Sequence, residues 1–98
     1  MKKYKIYFLL FTIFSNTLIS QNLADKKVLV VWGGWDGHKP ELFANHVENW
    51  LIKEKADYKI INGLDAYDNY DELIKYDLII QSVTMDEISK KQEENLVK

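Results

Sequence analysis

The chain contains no cysteine and no arginine among its 98 residues. Without cysteine there is no disulfide, no thiolate-ligated metal and no thiol nucleophile in this stretch. There is also no cysteine to carry a lipid, so an exported form is not expected to be a lipoprotein. Without arginine, all positive charge rests on lysine. Three lysines, Lys2, Lys3 and Lys5, fall in the first 20 residues, where there is no acid. The remainder sets ten lysines against fifteen acids, a net charge of −5. A net acidic domain with no basic cluster has no electrostatic footprint for nucleic acid, so no nucleic-acid partner is expected. Glycine is also scarce, at four residues, yet three of them, Gly33, Gly34 and Gly37, crowd into one loop. Their spacing is neither G-x-G-x-x-G nor a Walker loop, which leaves out a dinucleotide or nucleoside triphosphate on motif grounds. There is no G-x-S-x-G elbow and no Ser-His-Asp arrangement at recognisable spacing. The two histidines, His38 and His46, are eight apart and do not form an i, i+4 metal pair. No metal site and no cofactor are expected within the chain.

No apolar run is long enough to cross a membrane comfortably, which takes about 20 residues. The longest, residues 6–14, is interrupted by Thr12. It follows the basic Lys2, Lys3 and Lys5 and precedes the polar Ser15-Asn16-Thr17 and then Leu18-Ile19-Ser20-Gln21. A basic start, an apolar middle and a small polar end make a secretory signal peptide. Residues 1–20 are assigned to it, with cleavage after Ser20. Leu18 stands where a small residue would serve better, and the alternative is an uncleaved anchor. Residues 21–26 form a short linker. Once the signal is removed, no stable membrane insertion is expected. The protein is expected to be exported, in a periplasm.

Val28, Leu29, Val30, Val31 and Trp32 are apolar at successive positions, as in a parallel strand buried on both faces. Pro40 suits the first turn of a helix, where its missing N–H costs nothing. Phe43, Val47, Trp50 and Leu51 recur at helical spacing, predicting a helix over 40–54 with these residues on its apolar stripe. A second strand is predicted over 57–62, with Gly63 ending it, and a loop over 64–68. Asn69-x-x-Glu72 resembles a capping box opening a short helix over 70–75. A third strand is predicted over 78–81 and a loop over 82–88. Ser89-x-x-Gln92 is a second capping-box pattern, opening a helix that runs to the last residue with no stop signal. On this reading the chain is cut inside a helix.

Strand–helix–strand–short helix–strand–helix is the opening of a doubly wound α/β sheet. The first and third strands are the most apolar and should be central and adjacent. Tyr58-Lys59 brings polarity to the second, which suits an edge. The expected architecture is a flavodoxin-like parallel sheet, strand order 2-1-3, with helices on both faces.

In such a sheet, ligands bind beyond the carboxyl ends of the strands. The loop after the first strand, Gly33-Gly34-Trp35-Asp36-Gly37-His38-Lys39-Pro40, is therefore the first place to look for chemistry. Gly33 and Gly34 allow close backbone approach to a ligand, or simply a tight turn. Trp35 offers an aromatic face beside acidic and imidazole groups, an arrangement suited to stacking a sugar ring while bonding its hydroxyls. Trp32 and Trp50 are better explained as core. A helix N-terminus disfavours a protonated imidazole and favours anionic or polar ligand groups, so His38 is the candidate acid/base or hydrogen-bonding group. Its plainer reading is a ring packed beside Trp35 and donating to a backbone carbonyl. Asp36 belongs to the same cluster. If the first and third strands are neighbours, the loop holding Thr84, Asp86 and Glu87 emerges alongside, and Thr84 and Glu87 face His38 across a cleft. For Asp86, and equally for Glu87, the plainer reading is negative charge ahead of a helix.

These residues resemble the start of a ThuA-like domain, the trehalose-utilisation family with a class I glutamine amidotransferase-like fold. The resemblance lies in four stretches. They are the apolar strand followed by Gly-Gly-Trp-Asp-Gly-His-Lys-Pro, then Leu64-Asp65-Ala66-Tyr67, then Tyr76-Asp77-Leu78-Ile79-Ile80, then Thr84-Met85-Asp86-Glu87-Ile88 before its helix. Together they cover residues 26–98. The resemblance implies a further strand and a Gly-rich, His-containing turn at the place of the amidotransferase elbow, neither of which is in this sequence. It therefore implies the N-terminal part of a domain, 27–98, and association with disaccharide or other carbohydrate catabolism. Glutaminase activity is not implied, and the family's reaction is poorly defined.

Three readings follow. The first is a periplasmic carbohydrate-processing enzyme or accessory, with His38 as acid/base and Trp35 as sugar platform. The second is a non-catalytic sugar-binding or interaction module. The third is an inactive fragment, in which a three-stranded half sheet leaves one face and an edge strand exposed. The third predicts that the isolated mature chain aggregates or is partly molten. A sharp, cooperative thermal transition of that chain would contradict it.

Overall fold

A computed structural model describes residues 23–98. The signal peptide expected over 1–20 and the first two linker residues lie outside the described residues. Three strands, β1 (Lys27–Gly34), β2 (Asp57–Asn62) and β3 (Leu78–Thr84), form one parallel sheet in the order β2-β1-β3. Helix α1 (Pro40–Lys53) joins β1 to β2. A 3-10 turn (Leu64–Tyr67) and the short helix α2 (Tyr70–Leu73) join β2 to β3, and α3 (Lys90–Val97) follows β3. The expected α/β class, strand order and central position of the first strand are all observed.

The sheet is organised by β1. Val28 and Val30 point to one face and pack with Leu51 of α1. Leu29 and Val31 point to the other and pack with Tyr67 and Leu73. All four side chains are at most 1% exposed, and burial of each contributes about 1.5–3 kcal/mol. Register follows from this: Val30 pairs with Ile60 on one side and Ile80 on the other. Because helices and turns cover both faces of β1, the open face expected for a half sheet is not seen there. Among the described residues, the open borders are the outer edges of β2 and β3, the two edge strands.

β2 spans the expected 57–62, but β1 and β3 end later than expected. β1 continues through Gly33 and Gly34, which pair with Val83 and Thr84 of β3. Residues 82–84, expected as loop, are therefore strand. Val83 supplies the reason, since it packs against the core cluster around Leu29 and Val31.

Helix α1 corrects the expected core. Pro40, Ala44 and Leu51 are buried on it, with Val47 half-buried between them. Phe43 and Trp50 are 41% and 45% exposed. The sheet receives the stripe 40-44-47-51, so Phe43 and Trp50 sit on its flank. Trp32, also expected in the core, is half-buried at the strand end. His46 is exposed. The Tyr58 hydroxyl of β2 donates to the Glu48 carboxylate of α1 at 2.9 Å. This bond, with partial burial and the Glu48 charge, raises the Tyr58 phenol above its ordinary value.

The two capping-box patterns differ in outcome. At α3 the box closes: Ser89 Oγ accepts from the Gln92 N–H at 3.1 Å, and Gln92 Oε1 accepts from the Ser89 N–H at 2.9 Å. At α2 only half of it forms. Asn69 Oδ1 accepts from the Asp71 N–H at 3.0 Å, but Glu72 turns instead to Lys75, 3.0 Å away. Bonding by Lys75 holds the Glu72 carboxyl below the ordinary carboxylate range. The helix also stops at Leu73 rather than 75.

Two amides on α3 fasten it to the segment between β2 and β3. Gln92 Nε2 donates to the Leu64 carbonyl at 3.0 Å and to Asp68 Oδ1 at 2.8 Å. Asn95 Nδ2 donates to the carbonyls of Tyr67 at 2.8 Å and Asp68 at 3.2 Å. Both amides are buried, and a buried polar group is tolerated because it is bonded. The fully buried Tyr67 donates its hydroxyl to Gln81 Oε1 at 2.6 Å, and burial raises its phenol.

The placement of α1 predicts an order of mutational effects. Leu51→Ala in the full-length protein should cost about 2–5 kcal/mol, and Trp50→Ala about 0.5 kcal/mol. Denaturant melts that reversed this order would contradict the orientation of α1.

Candidate functional site

The carboxyl end of β1 turns at Gly34, whose φ of 83° lies in the left-handed region. A side chain there would also run into the backbone of Thr84. Glycine is thus required twice over, by the dihedral and by the close approach of β3. One residue on, the Trp35 N–H donates to the Thr84 carbonyl at 3.0 Å. This bond ties the loop after β1 to the loop after β3, which is the juxtaposition expected of adjacent first and third strands.

Asp36, Gly37 and His38 then make a single 3-10 turn. The His38 N–H donates to the Trp35 carbonyl at 3.2 Å, and the Lys39 N–H to the Asp36 carbonyl at 2.8 Å. Lys39 is left-handed, with φ 50°, and swings the chain onto Pro40 at the first position of α1.

The turn shapes the surface of Trp35. Its indole lies back over Gly37, where a side chain would overlap the six-membered ring. The His38 imidazole meets the indole edge-on, with centroids 4.8 Å apart and planes at 84°, a geometry that adds about 0.5–1.5 kcal/mol. Backing by Gly37 and bracing by His38 leave Trp35 54% exposed. The ring packing of the plainer reading of His38 is therefore observed, whereas its bond to a backbone carbonyl is not seen among the described residues. The packing does not consume the imidazole nitrogens, which have no hydrogen-bond partner among the described residues. That Gly37 makes room for an indole two residues earlier is a tertiary fact.

The second loop is organised differently from expectation. Thr84 is the last residue of β3 and contributes its carbonyl to Trp35. Asp86 accepts from the Glu87 N–H at 2.8 Å, so its carboxylate serves the turn; the α3 terminus is capped by Ser89 instead. Glu87 is exposed and forms no ion pair with His38. The structure thus brings Gly34 and Trp35 into direct backbone contact with Thr84, pairs Gly33 with Val83, and places Asp36 and His38 on the same turn. Glu87 lies on the neighbouring loop without touching them.

Among the described residues, no group of three or more His, Cys, Asp or Glu side chains is placed to hold a metal ion. No helix among them is long and apolar enough to cross a membrane. The fold and the site define a class: an open parallel α/β domain with an aromatic, polar-rimmed turn beyond the central strand. No protein-family model, no curated protein and no solved structure matches the chain.

The two glycines should behave differently when substituted. Gly34→Ala should destabilise the protein by more than about 1 kcal/mol, since an unsuitable φ adds to the clash. Gly37→Ala should leave the melting midpoint nearly unchanged but displace the indole. The displacement can be read as a change in Trp35 emission in a Trp32→Phe, Trp50→Phe background. An unmoved Trp35 spectrum in Gly37→Ala would contradict the packing described.

Proposed function

We propose that this chain is the N-terminal part of a ThuA-like domain, exported to a periplasm, whose site takes a carbohydrate such as trehalose or another disaccharide. The observation that carries the reading is Trp35: an indole held half-exposed at the carboxyl end of the central strand, backed by Gly37 and braced by His38. Aromatic faces of this kind stack on the apolar C–H face of a sugar ring. The exposed carboxylates of Asp36 and Glu87 and the unbonded imidazole of His38 are suited to the ring's hydroxyls. The parallel 2-1-3 sheet is the framework that a class I glutamine amidotransferase-like fold requires, and the four resembling stretches fall on β1 and its loop, the 3-10 turn, β3, and the loop before α3. Gly33, Gly34 and Thr84 shape the backbone of the site. His38 is the acid/base group of an enzymatic reading, whose reaction stays undefined.

A second reading rests on the exposure of Phe43 and Trp50 and on the open edge of β3. Those surfaces favour a non-catalytic sugar-binding or interaction module, or a piece of a longer ThuA-like protein that acts only with the rest.

Calorimetric titration of the full-length protein with trehalose and related disaccharides separates these. Trp35→Ala should weaken binding at least about tenfold, the equivalent of about 1.4 kcal/mol, and His38→Ala should weaken binding or turnover. Saturable binding with no product by mass spectrometry would favour the module. Unchanged affinity and rate in both variants would remove the sugar reading.

A further inference from the structure

Among the described residues, four other than glycine adopt left-handed backbone: Asp25, Lys39, Lys55 and Met85. Three are polar residues at turns. Met85 is the exception, an apolar residue with φ 56°. It is also 80% exposed, the most open of the large apolar side chains among the described residues. Left-handed backbone is costly for any residue with a side chain, and glycine or asparagine would meet the same turn with less strain. An apolar side chain held in water adds a second cost. Neither is offset within the fold, because Met85 belongs to neither core cluster.

The position of Met85 supplies the missing reason. β1 and β3 pair up to Gly34 and Thr84, so Trp35 and Met85 are the next residue on each of two adjacent parallel strands. The Trp35 N–H bonded to the Thr84 carbonyl at 3.0 Å holds the two exits side by side. Parallel strands run about 4.8 Å apart, so two large, solvent-facing apolar residues leave the sheet as neighbours. Asp36 and His38 follow Trp35 on the first exit and Asp86 and Glu87 follow Met85 on the second, all of them exposed. Strain that the fold itself does not need is a mark of functional positions.

We infer that Met85 is a specificity-determining residue of the site: its thioether is a second apolar contact, beside Trp35, for the C–H face of a pyranose ring. The inference rests on the carbohydrate reading above. A methionine suits such a contact because its unbranched, polarisable side chain adapts to the surface laid against it.

Trehalose is the probe, titrated calorimetrically into the full-length protein and its Met85→Gly, Met85→Asn and Met85→Leu variants. Met85→Gly and Met85→Asn should weaken trehalose binding about tenfold while raising the thermal midpoint, because strain is relieved as the contact is lost. Met85→Leu, which keeps an apolar side chain, should bind within about twofold of the unmodified protein. If Met85→Gly binds trehalose as tightly as the unmodified protein while Trp35→Ala does not, the role of Met85 is overturned and the sugar reading stands. A lowered midpoint in Met85→Gly would show that the side chain supports the fold, and would equally overturn it. If the unmodified protein binds neither trehalose, maltose nor sucrose, both readings fall together.

Discussion

The burial of β1 on both faces places every other element of this protein. Val28 and Val30 require cover on one side and Leu29 and Val31 on the other. A strand that must be covered twice needs a partner on each edge as well, since an unpaired backbone buried between two layers would be heavily penalised. The order β2-β1-β3 meets both needs. It also explains why α1 and the 64–73 segment lie on opposite sides of the sheet, and why Gly33 and Gly34 at the end of β1 pair with Val83 and Thr84.

The second layer of organisation is polar. On the 64–73 side, α3 is fastened by Gln92 and Asn95, which satisfy carbonyls and a carboxylate around Leu64, Tyr67 and Asp68. Gln92 is used at both ends, its oxygen closing the cap with Ser89 and its nitrogen reaching across to the turn. The same side chain thus starts the helix and positions it.

At the site itself, local and long-range constraints meet. Gly34 is fixed by β3, Trp35 by its bond to Thr84, and the indole by Gly37 and His38. The result is a rigid aromatic surface on a loop, which is the combination of scaffold and exposure that binding sites use. Here the costs are visible in the backbone. Lys39 and Met85, one on each exit loop, hold left-handed conformations that glycine would hold more readily.

Much of this was legible in the chain. Four consecutive apolar β-branched or leucine residues predicted a central strand, and Pro40 and Ser89-x-x-Gln92 predicted helix starts, because each of these signals is local. The strand order followed from the polarity of Tyr58-Lys59 against the apolar first and third strands. What helical periodicity could not decide was which side of α1 meets the sheet: Phe43 and Trp50 share the spacing of core residues, yet the packing chose the stripe through Ala44 and Leu51. Nor could spacing show that Gly37 makes room for Trp35, that Glu72 prefers Lys75 to its own N-terminus, or that Asn95 anchors a turn 28 residues earlier. The class of sheet and the choice of the loop after β1 as a candidate site came from the sequence by itself, because burial pattern and turn chemistry are written residue by residue. The faces, the braces around Trp35 and the exposure of Met85 were decided only in the tertiary structure, because each depends on contact between segments that the chain brings together after it folds.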